Sequence, residues 1–480
     1  MQTRQAVWSI ELETEPDTGT SELLQRAAEL AIRYRAALPE RLVAASQSLD
    51  ELTEALGGPL PEEGEDPVTV IEGMARDVPA GLLGMPGPRF FGFVLGGGLP
   101  AAVAADWLTS IWGQNSPSAV ITPAAAAVER IAGNWLIDLF GLPAQCTVGF
   151  VTGGTMANFT GLAAGRHAVL RAAGWDVEAN GLQGAPHVTV VTGADAHVTL
   201  FAALRLLGLG AGTALKVPVD EEGQMIPAEL RRVLADVSGP TIVCLQAGNV
   251  NSGAFDPLNE AIPIVRAAVP NAWIHVDGAF GLWAAVSPAH RHLLDGHTDA
   301  DSWSTDGHKW LNVPFDTGLI FVRDGAAHRA ATSMTASYLF FDDAHRDPGD
   351  YVPELSRRAR GFPVYAALRS LGRSGIRSMV ERCCSLARRF ADRLAANEGV
   401  EVLNEVVLNQ VLVRFDGSDE RTRDVIARVQ ADGTAWLAGG NWGGQHVMRI
   451  SVINWSTRAH DVDRTIDAIR SALNASRAAG

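Results

Sequence analysis

The chain has 480 residues, of which 47% are hydrophobic and 19% charged, so it can bury a large core and is not a disordered or collagen-like protein. Asp and Glu number 54 against 39 Lys and Arg, and the formal net charge of -15 provides no general attraction for nucleic acid or anionic lipid. Only 4 cysteines occur, none of them spaced as Cys-x-x-Cys, which argues against a disulfide scaffold and against a structural metal site.

The N-terminus has neither the basic start nor the apolar run of a secretory signal, and it becomes acidic from Glu11 onward. We therefore expect a reducing, cytoplasmic compartment. Apolar residues at helical spacing predict an amphipathic helix over 21–38, and a second short helix is predicted over 49–56, followed by a polar connection. These elements define a predicted N-terminal helical segment, residues 1–85.

The middle of the chain alternates short β-branched runs with helical patterns. Helices are predicted near 155–172, 196–208 and 257–268. Buried strands are predicted at 147–152, 187–192, 214–219, 241–246, 272–277 and 317–322. This order of elements predicts an α/β fold with a mostly parallel sheet and helices on both faces, forming a large domain over 86–360.

The C-terminal part begins after an arginine-rich stretch at 357–360. A helix is predicted near 374–397, strands near 409–415, 433–438 and 446–452, and a last helix from about 461. We expect residues 361–480 to form a smaller α+β domain.

Three segments contain residues suited to chemistry. The apolar run 272–276 ends in Asp277, and ligands of open α/β sheets bind outside the carboxyl ends of strands. Such an aspartate alone more often only caps a turn. The segment 304–310 places Lys309 beside His308 and an aromatic residue, where an amine in a partly apolar site becomes a nucleophile that forms Schiff bases.

The third segment, 150–158, has two glycines at the end of a predicted strand and the start of a predicted helix. Gly153 and Gly154 allow a close backbone approach, and Thr155 adds a hydroxyl, which together favour a phosphate group. The segment is neither a P-loop nor a dinucleotide fingerprint. A phosphate turn, a strand-end Asp277 and a Schiff-base Lys309 are the parts that pyridoxal 5'-phosphate requires.

At these segments, above all His275-Val276-Asp277-Gly278-Ala279 and His308-Lys309-Trp310, the chain resembles the group II pyridoxal-phosphate-dependent amino-acid decarboxylases, which include the aromatic amino-acid and glutamate decarboxylases. The resemblance extends from about residue 90 through the C-terminal part. It implies the aspartate aminotransferase fold and a homodimer with active sites shared between the subunits.

The resemblance also implies residue roles. Lys309 would bind the cofactor aldehyde, and Asp277 would pair with the protonated ring nitrogen. His197 and Ala279 would contact the two faces of the ring. The matching phosphate-binding pair is Gly154 and Thr155.

Tyr338 stands where aromatic amino-acid decarboxylases have a mobile-loop tyrosine that protonates the product, and its alternative is a packed aromatic. Relatives that oxidise their substrates to aldehydes typically lack this tyrosine or the histidine that matches His197. The presence of both favours simple decarboxylation.

The chain departs from the family pattern at two places. Asn249 stands in a segment that is commonly rich in threonine, and it would bond the ring hydroxyl or the substrate carboxylate. Asp306 replaces a frequent asparagine and would repel a phosphate dianion unless it is turned away or hydrogen-bonded, in which case Thr305 or His308 would take over the asparagine's contact. Whether an arginine of the Arg357-Arg358 pair meets a substrate carboxylate is open.

The residues that match the family's side-chain pocket are apolar apart from one amide: Phe93, Val94, Leu95, Asn115 and Pro117. None is basic, so we expect an aromatic or medium aliphatic amino acid in preference to an acidic one. An aminotransferase or carbon-carbon lyase on the same fold, and a non-catalytic binding protein that keeps the fold, are the alternatives. The roles of His197 and Tyr338 separate the first of these from a decarboxylase.

Overall fold

The computed structural model describes residues 18–334 and 346–479. Its first helices are α1 (Thr18–Ala37), α2 (Leu49–Leu56), α3 (Pro67–Asp77), α4 (Pro100–Trp112) and α5 (Pro123–Leu139). A capping box between Ser48 and Glu51 starts α2, and proline occupies the first turn of α3, α4 and α5. The sequence predicted α1 and α2 and missed the other three.

A seven-stranded sheet forms the centre of the molecule. Its strands are β1 (Thr147–Val151), β2 (Thr189–Gly193), β3 (Leu215–Val217), β4 (Thr241–Gln246), β5 (Trp273–Asp277), β6 (Ser302–Asp306) and β7 (Gly318–Val322), in the order β1-β7-β6-β5-β4-β2-β3. The helices that follow these strands are α6 (Gly154–Ala172), α7 (Val177–Asn180), α8 (Val198–Leu206), α9 (Pro227–Leu234), α10 (Leu258–Ala268) and α11 (Gly325–Thr332). The pairs among β2 to β6 are parallel and those with β7 are antiparallel, which confirms the predicted mostly parallel α/β fold.

The parallel register places the functional strand ends side by side. Asp277 at the end of β5 pairs with Ser304 on β6, two residues before Asp306. The sequence indicates β6 only as a short strand-like run before the lysine, without bounds. Because β4, β5 and β6 run the same way, their carboxyl ends open onto one edge of the sheet, where ligands of open α/β sheets bind.

The C-terminal part is a second, antiparallel sheet with helices. It comprises α12 (Gly361–Ala395), β8 (Val400–Val402), β9 (Gln410–Phe415), α13 (Asp419–Asp432), β10 (Ala438–Trp442), β11 (Gln445–Ser451) and α14 (Ala459–Ala479), with the strand order β10-β11-β9-β8. The strand predicted at 433–438 is wrong, because Gly433 ends α13 in the left-handed conformation and β10 begins only at Ala438. The helix predicted from 374 begins at Gly361, and its continuity is interrupted at Gly372 (φ 59°). The domain limits at 85 and 360 stay a prediction.

Within the described residues, no helix combines the length and the apolar character that a bilayer crossing requires.

Candidate active site

A cavity of about 320 Å³ lies at the carboxyl edge of the large sheet. It brings together most of the sequence-predicted catalytic and cofactor-binding residues, including both glycines of the turn after β1. The lining residues are Thr152, Gly153, Gly154, Thr155, Met156, His197, Thr199, Ala279, Asp306, His308 and Lys309. Residues from separate segments of the chain therefore meet at one site, as the strand-end argument predicts.

One wall of the cavity is the turn that joins β1 to α6. Gly153 immediately precedes α6, which begins at Gly154, so the unpaired N–H groups of the first helical turn face the cavity region. A Cβ atom on Gly154 would lie 2.9 Å from Asp306 Oδ2, so a larger residue would collide there. The close backbone approach and the helix dipole suit a phosphate group.

Lys309 forms an ion pair inside the cavity. Its Nζ lies 2.8 Å from Asp306 Oδ2, and the side chains of the lysine and the aspartate are 17% and 3% exposed. Asp306 is not turned away from the phosphate turn, and its hydrogen-bonding partner is the lysine ammonium rather than a backbone N–H. Its other oxygen, Oδ1, is buried without a hydrogen-bond partner among the described residues. His308 Nε2 lies 3.7 Å from that oxygen, and burial lowers the pKa of this imidazole.

Asp277 is buried beside the cavity and is held by neutral donors. Its Oδ2 accepts a hydrogen bond from Asn158 Nδ2 at 2.9 Å, and its Oδ1 accepts one from the Ala279 N–H at 3.1 Å. Ser304 Oγ lies 3.4 Å from the same Oδ1. The carboxylate is therefore fixed in position on strand β5 by groups that carry no charge.

His197 stands at the start of α8, where its Nδ1 receives hydrogen bonds from Thr199. The Thr199 hydroxyl is 2.8 Å and its backbone N–H 3.4 Å from this nitrogen. Burial lowers the pKa of His197, and the charges of Lys309 and Arg449 act in the same direction. The ring at the cavity wall is consequently neutral near pH 7, and it offers a flat surface on which an aromatic ligand can stack.

Two predicted cofactor residues lie outside the cavity lining. The Thr305 hydroxyl lies 3.3 Å from the Ala279 carbonyl oxygen, to which it donates. Asn249 is buried, and its Oδ1 accepts from the Asn251 N–H at 2.8 Å. Of the two residues that could bind a phosphate in place of the asparagine that Asp306 replaces, His308 lines the cavity and Thr305 does not.

The residues predicted to contact the substrate side chain are dispersed within one chain. Phe93 is exposed and stacks on Trp436 with a centroid distance of 5.7 Å, whereas Val94 belongs to the hydrophobic core. Asn115 Oδ1 accepts from the Arg357 N–H at 2.9 Å. Pro117 is buried, and its carbonyl accepts from the Gly349 N–H. Leu95 is half-buried and precedes Gly96, whose N–H donates to the His308 carbonyl. Their shared role stays a prediction, as does that of Tyr338, which lies outside the described residues.

The arginine pair at 357 and 358 has structural partners. Arg357 is buried with Nη1 2.8 Å from Glu129 Oε1, and its Nη2 donates to the Phe150 carbonyl. Arg358 Nη2 lies 2.7 Å from Asp106 Oδ1 on α4. Both guanidinium groups therefore join segments of the fold, and neither lines the cavity.

Sequence reasoning missed three residues of this site. Asn158 and Thr199 connect Asp277 to His197, and Arg449 on β11 influences His197 electrostatically. Arg449 donates to the Val250 carbonyl at 2.7 Å, but its buried Nε has no hydrogen-bond partner among the described residues. Burial lowers the pKa of this guanidinium. A lone arginine inside the apolar run 447–452 was the signal that could have identified it.

The residues present fit pyridoxal 5'-phosphate. The cavity offers helix N–H groups and two glycines to a phosphate, an amine to an aldehyde, and a neutral imidazole to the face of an aromatic ring. Asp277 shares a small pocket with His197 and is held by the Asn158 amide, and its carboxylate would suit a protonated ring nitrogen. The unsatisfied Asp306 Oδ1 is the one feature that opposes a phosphate, and the adjacent Lys309 ammonium offsets its charge.

Comparison with known proteins agrees with this geometry. Residues 50–416 match the family model described as "Pyridoxal-dependent decarboxylase conserved domain". The aromatic-L-amino-acid decarboxylase of Bacillus atrophaeus is 27% identical over 412 residues, covering 84% of this chain and 83% of that protein. The human acidic amino acid decarboxylase GADL1 is 29% identical over 365 residues, covering 74% of this chain and 68% of that protein. Relatives with different substrates are therefore about equally similar.

The fold itself is shared with solved structures. A crystal structure of Oryza sativa TDC with PLP and tryptamine superposes with a TM-score of 0.89 at 24% identity, covering 96% of this chain and 99% of that one.

Proposed function

The chain belongs to the pyridoxal-dependent decarboxylase family, and from that premise we propose that its substrate is an aromatic or medium aliphatic L-amino acid. The reaction is decarboxylation of an amino acid to the amine and CO2, so the protein is a lyase that depends on pyridoxal 5'-phosphate. What remains to be assigned is the side chain that the site accepts and the task of each residue around it.

The observation that supports an aromatic or aliphatic side chain is a stack of aromatic rings on a segment that contacts the loop carrying Lys309. Trp436 stacks with both Phe90 and Phe93, with centroid distances of 5.1 and 5.7 Å and nearly parallel rings. The segment that contains Phe90 and Phe93 is hydrogen-bonded to the loop carrying Lys309, because the Gly96 N–H donates to the His308 carbonyl at 2.9 Å.

Phe93 also has an unusual backbone. Its φ of 52° is in the left-handed region, which is strained for a bulky residue and is found most often at functional sites. The residue is 53% exposed although it is apolar. An exposed, strained aromatic, three residues before the glycine that is bonded to the His308 carbonyl, offers a stacking surface to an aromatic substrate, and it offers nothing to an acidic one.

Each residue of the cavity receives a task in this proposal. Lys309 attaches the cofactor through its amine, and the turn 153–155 binds the phosphate. Asp277 holds a proton on the ring nitrogen. His197 and Ala279 contact the two ring faces, and Tyr338 is assigned by resemblance as the donor of the proton to Cα. When bound, pyridoxal phosphate supplies the electron sink for the electron pair that remains on Cα as CO2 leaves.

Arg449 is our candidate for the substrate carboxylate. It is a half-buried cation whose buried Nε is unused, and no carboxylate of the described residues pairs with it. A carboxylate held by this guanidinium would be fixed relative to the ring, and orientation decides which bond at Cα breaks. Arg449→Gln is expected to raise KM for every amino acid by about tenfold or more, whereas Phe93→Ala acts on aromatic substrates alone.

The substrate class is tested by comparing kcat/KM of the cofactor-loaded protein for tryptophan, phenylalanine, leucine, glutamate and cysteine sulfinate. We expect the first three to exceed the acidic pair by at least about 100-fold, because a charged carboxylate would be buried against apolar groups. Phe93→Ala should raise KM for tryptophan about tenfold and leave KM for leucine within about twofold. A preference for glutamate or cysteine sulfinate would overturn the proposal.

The assembly we propose is a homodimer. Exposed apolar side chains cluster on α4, namely Trp107, Leu108, Ile111 and Trp112. α4 also borders a groove between α1 and α3. A second copy would cover this surface. Sedimentation velocity tests the proposal, and a monomer at micromolar concentration contradicts it.

A cytoplasmic location stays our proposal as well, and the free, buried state of Cys146, Cys244, Cys383 and Cys384 fits a reducing compartment.

A further inference from the structure

Strand β5 presents three polar side chains on one face. Residues two apart on a strand point the same way, so Trp273, His275 and Asp277 share the face on which α6 packs. The neighbouring parallel strand β6 supplies Ser302 beside His275. Asn158, from α6, stands between His275 and Asp277.

These side chains form an unbroken series of hydrogen bonds. Trp273 Nε1 lies 2.9 Å from Ser302 Oγ, which lies 2.8 Å from His275 Nδ1. His275 Nε2 is 3.0 Å from Asn158 Oδ1, and Asn158 Nδ2 is 2.9 Å from Asp277 Oδ2. Ser302, His275 and Asn158 are fully buried, so water does not compete for these bonds.

The direction of these bonds follows from the carboxylate end of the series. Asp277 can only accept, so the Asn158 amide nitrogen donates to it and the amide oxygen Oδ1 faces His275 Nε2. A neutral His275 then carries its proton on Nε2, donates to Asn158 Oδ1 and accepts at Nδ1 from the Ser302 hydroxyl. Ser302 Oγ in turn accepts from the Trp273 indole N–H, which can only donate.

Two further observations agree with this direction. Burial lowers the pKa of His275 to about 4, so the ring is neutral at pH 7. Ser304 Oγ donates to the same Asn158 Oδ1 at 2.6 Å. Asn158 Nδ2 also lies 3.3 Å from Thr199 Oγ1, whose proton goes to His197 Nδ1. Asn158 is thus a branch point that orients both Asp277 and His197.

We propose that Trp273, Ser302, His275 and Asn158 form a one-way hydrogen-bond relay that holds the Asp277 carboxylate aimed at the cofactor ring nitrogen. These four are positioning residues, since none of them lines the cavity around Lys309. The relay rests on the proposed role of Asp277. Through these hydrogen bonds the indole of Trp273, which does not line the cavity, affects the protonation of the cofactor ring nitrogen.

The relay fails in a defined way when Ser302 is lost. Without the hydroxyl, His275 can carry its proton on Nδ1, and its bare Nε2 then attracts the amide nitrogen of Asn158. The amide turns over and presents Oδ1 to Asp277. Two acceptor oxygens then face each other, which disfavours the ionised carboxylate and releases the proton on the ring nitrogen.

The test is the 15N NMR signal of holoenzyme loaded with pyridoxal phosphate labelled at the ring nitrogen, which distinguishes the protonated from the neutral nitrogen. We expect a protonated nitrogen in the wild type and in Ser302→Thr, and a shift toward the neutral position in Ser302→Ala, with kcat about tenfold lower and KM within about twofold. Trp273→Phe should shift the signal in the same direction by less, because the Ser302 hydroxyl then loses the donor that holds its oxygen in place beside His275.

The matched control is Thr465→Val, which removes an equally buried hydroxyl in α14, bonded to the Asp461 carbonyl. It should leave the 15N signal unchanged. A protonated nitrogen in Ser302→Ala, or an equal shift in Thr465→Val, would overturn the relay. Asp277→Asn distinguishes failure of the relay from failure of the proposed role of Asp277. If Asp277→Asn shifts the signal and Ser302→Ala does not, only the relay is wrong. If Asp277→Asn also keeps the signal of a protonated nitrogen, the role of Asp277 is wrong as well.

Discussion

Two buried carboxylates end neighbouring strands of the large sheet, and they are stabilised in opposite ways. Asp277 on β5 accepts hydrogen bonds from the neutral Asn158 amide and the Ala279 N–H. Asp306 on β6 instead faces the Lys309 ammonium with one oxygen, and its other oxygen has no hydrogen-bond partner among the described residues. Neutral donors persist through a catalytic cycle, whereas the charge on a lysine that attaches a cofactor does not.

The difference suggests two separate duties. Asp277 is held ready to face a ring nitrogen whatever the state of the lysine. Asp306 balances Lys309 before the cofactor arrives and lies beside the phosphate turn afterwards, since its Oδ2 would be 2.9 Å from a Cβ on Gly154. Exchanging each carboxylate for its amide should therefore have effects of opposite sign.

The largest effect is expected at Asp277. Asp277→Asn removes the negative charge that would keep the ring nitrogen protonated, and kcat/KM should fall by about 1,000-fold, equivalent to about 4 kcal/mol. Steady-state decarboxylation measures it. The matched variant is Asp301→Asn, because Asp301 lies beside the amino ends of the same two strands and accepts from the Ile274 N–H and from Arg266. Equal losses in both variants would show that only stability had changed.

Removing the lysine should expose the dependence of Asp306 on its partner. Lys309→Met leaves a carboxylate with a side chain only 3% exposed without its counter-ion, and we expect the cofactor-free protein to lose about 3 kcal/mol of unfolding free energy. The double variant Lys309→Met/Asp306→Asn should recover most of that loss. Urea denaturation of the three proteins measures both. A double variant as unstable as the single one would contradict the pairing.

Buried groups that are neutral in the folded protein also make its stability depend on pH. Burial lowers the pKa of His328 to about 3, below the usual 6.5, so the unfolded chain binds the extra proton between these values and stability falls as the pH drops from about 6.5. Asp256, whose pKa burial raises to about 6, opposes this trend because its contribution falls as the pH rises from about 4 to 6.

His328→Gln should remove the histidine's share of this pH dependence. The difference in unfolding free energy between pH 6.5 and pH 4.5 is expected to shrink by about 2 kcal/mol. Urea denaturation at the two pH values measures the change, and the exposed His187→Gln serves as the control. An unchanged difference would mean that His328 is protonated in the folded protein.

The smallest effect is expected at Asp306, and its sign is the informative part. Asp306→Asn removes a negative charge beside the phosphate turn, so pyridoxal phosphate should bind about tenfold more tightly, equivalent to about 1.4 kcal/mol. Fluorescence titration of the cofactor-free protein gives the dissociation constants. Weaker binding by the amide variant would show that Asp306 assists the phosphate through a proton of its own.

The sequence predicted those parts of the site that lie at strand ends. Asp277, Lys309 and the glycine turn stand directly beside apolar runs, and the carboxyl ends of parallel strands converge without knowledge of the side-chain packing. Asn158 was missed because its role exists only where α6 crosses β5, a contact that separates residues by 119 positions in the chain. Arg449 comes from the second sheet and required the packing of the two parts to be known.

The helices α3 to α5 were missed for a different reason. Each begins at a proline, and α4 and α5 are rich in alanine and apolar on several sides, so a periodic polar face does not stand out. α12 was predicted to begin 13 residues too late, because Gly372 interrupts an otherwise helical pattern. The buried partners of Arg357 and Arg358, Glu129 and Asp106, lie on these missed elements, so the structural role of the two arginines could not be predicted either.

The most direct test of the whole account is mass-spectrometric product analysis. The cofactor-loaded protein is incubated with a pool of L-amino acids and no keto-acid acceptor. We predict an aromatic or medium aliphatic amine and CO2 in equal amounts, with none detected for the Asp277→Asn variant at the same concentration and time. A keto acid that appears only after an acceptor is added, and no amine, would contradict both the decarboxylation and the residue roles assigned to it.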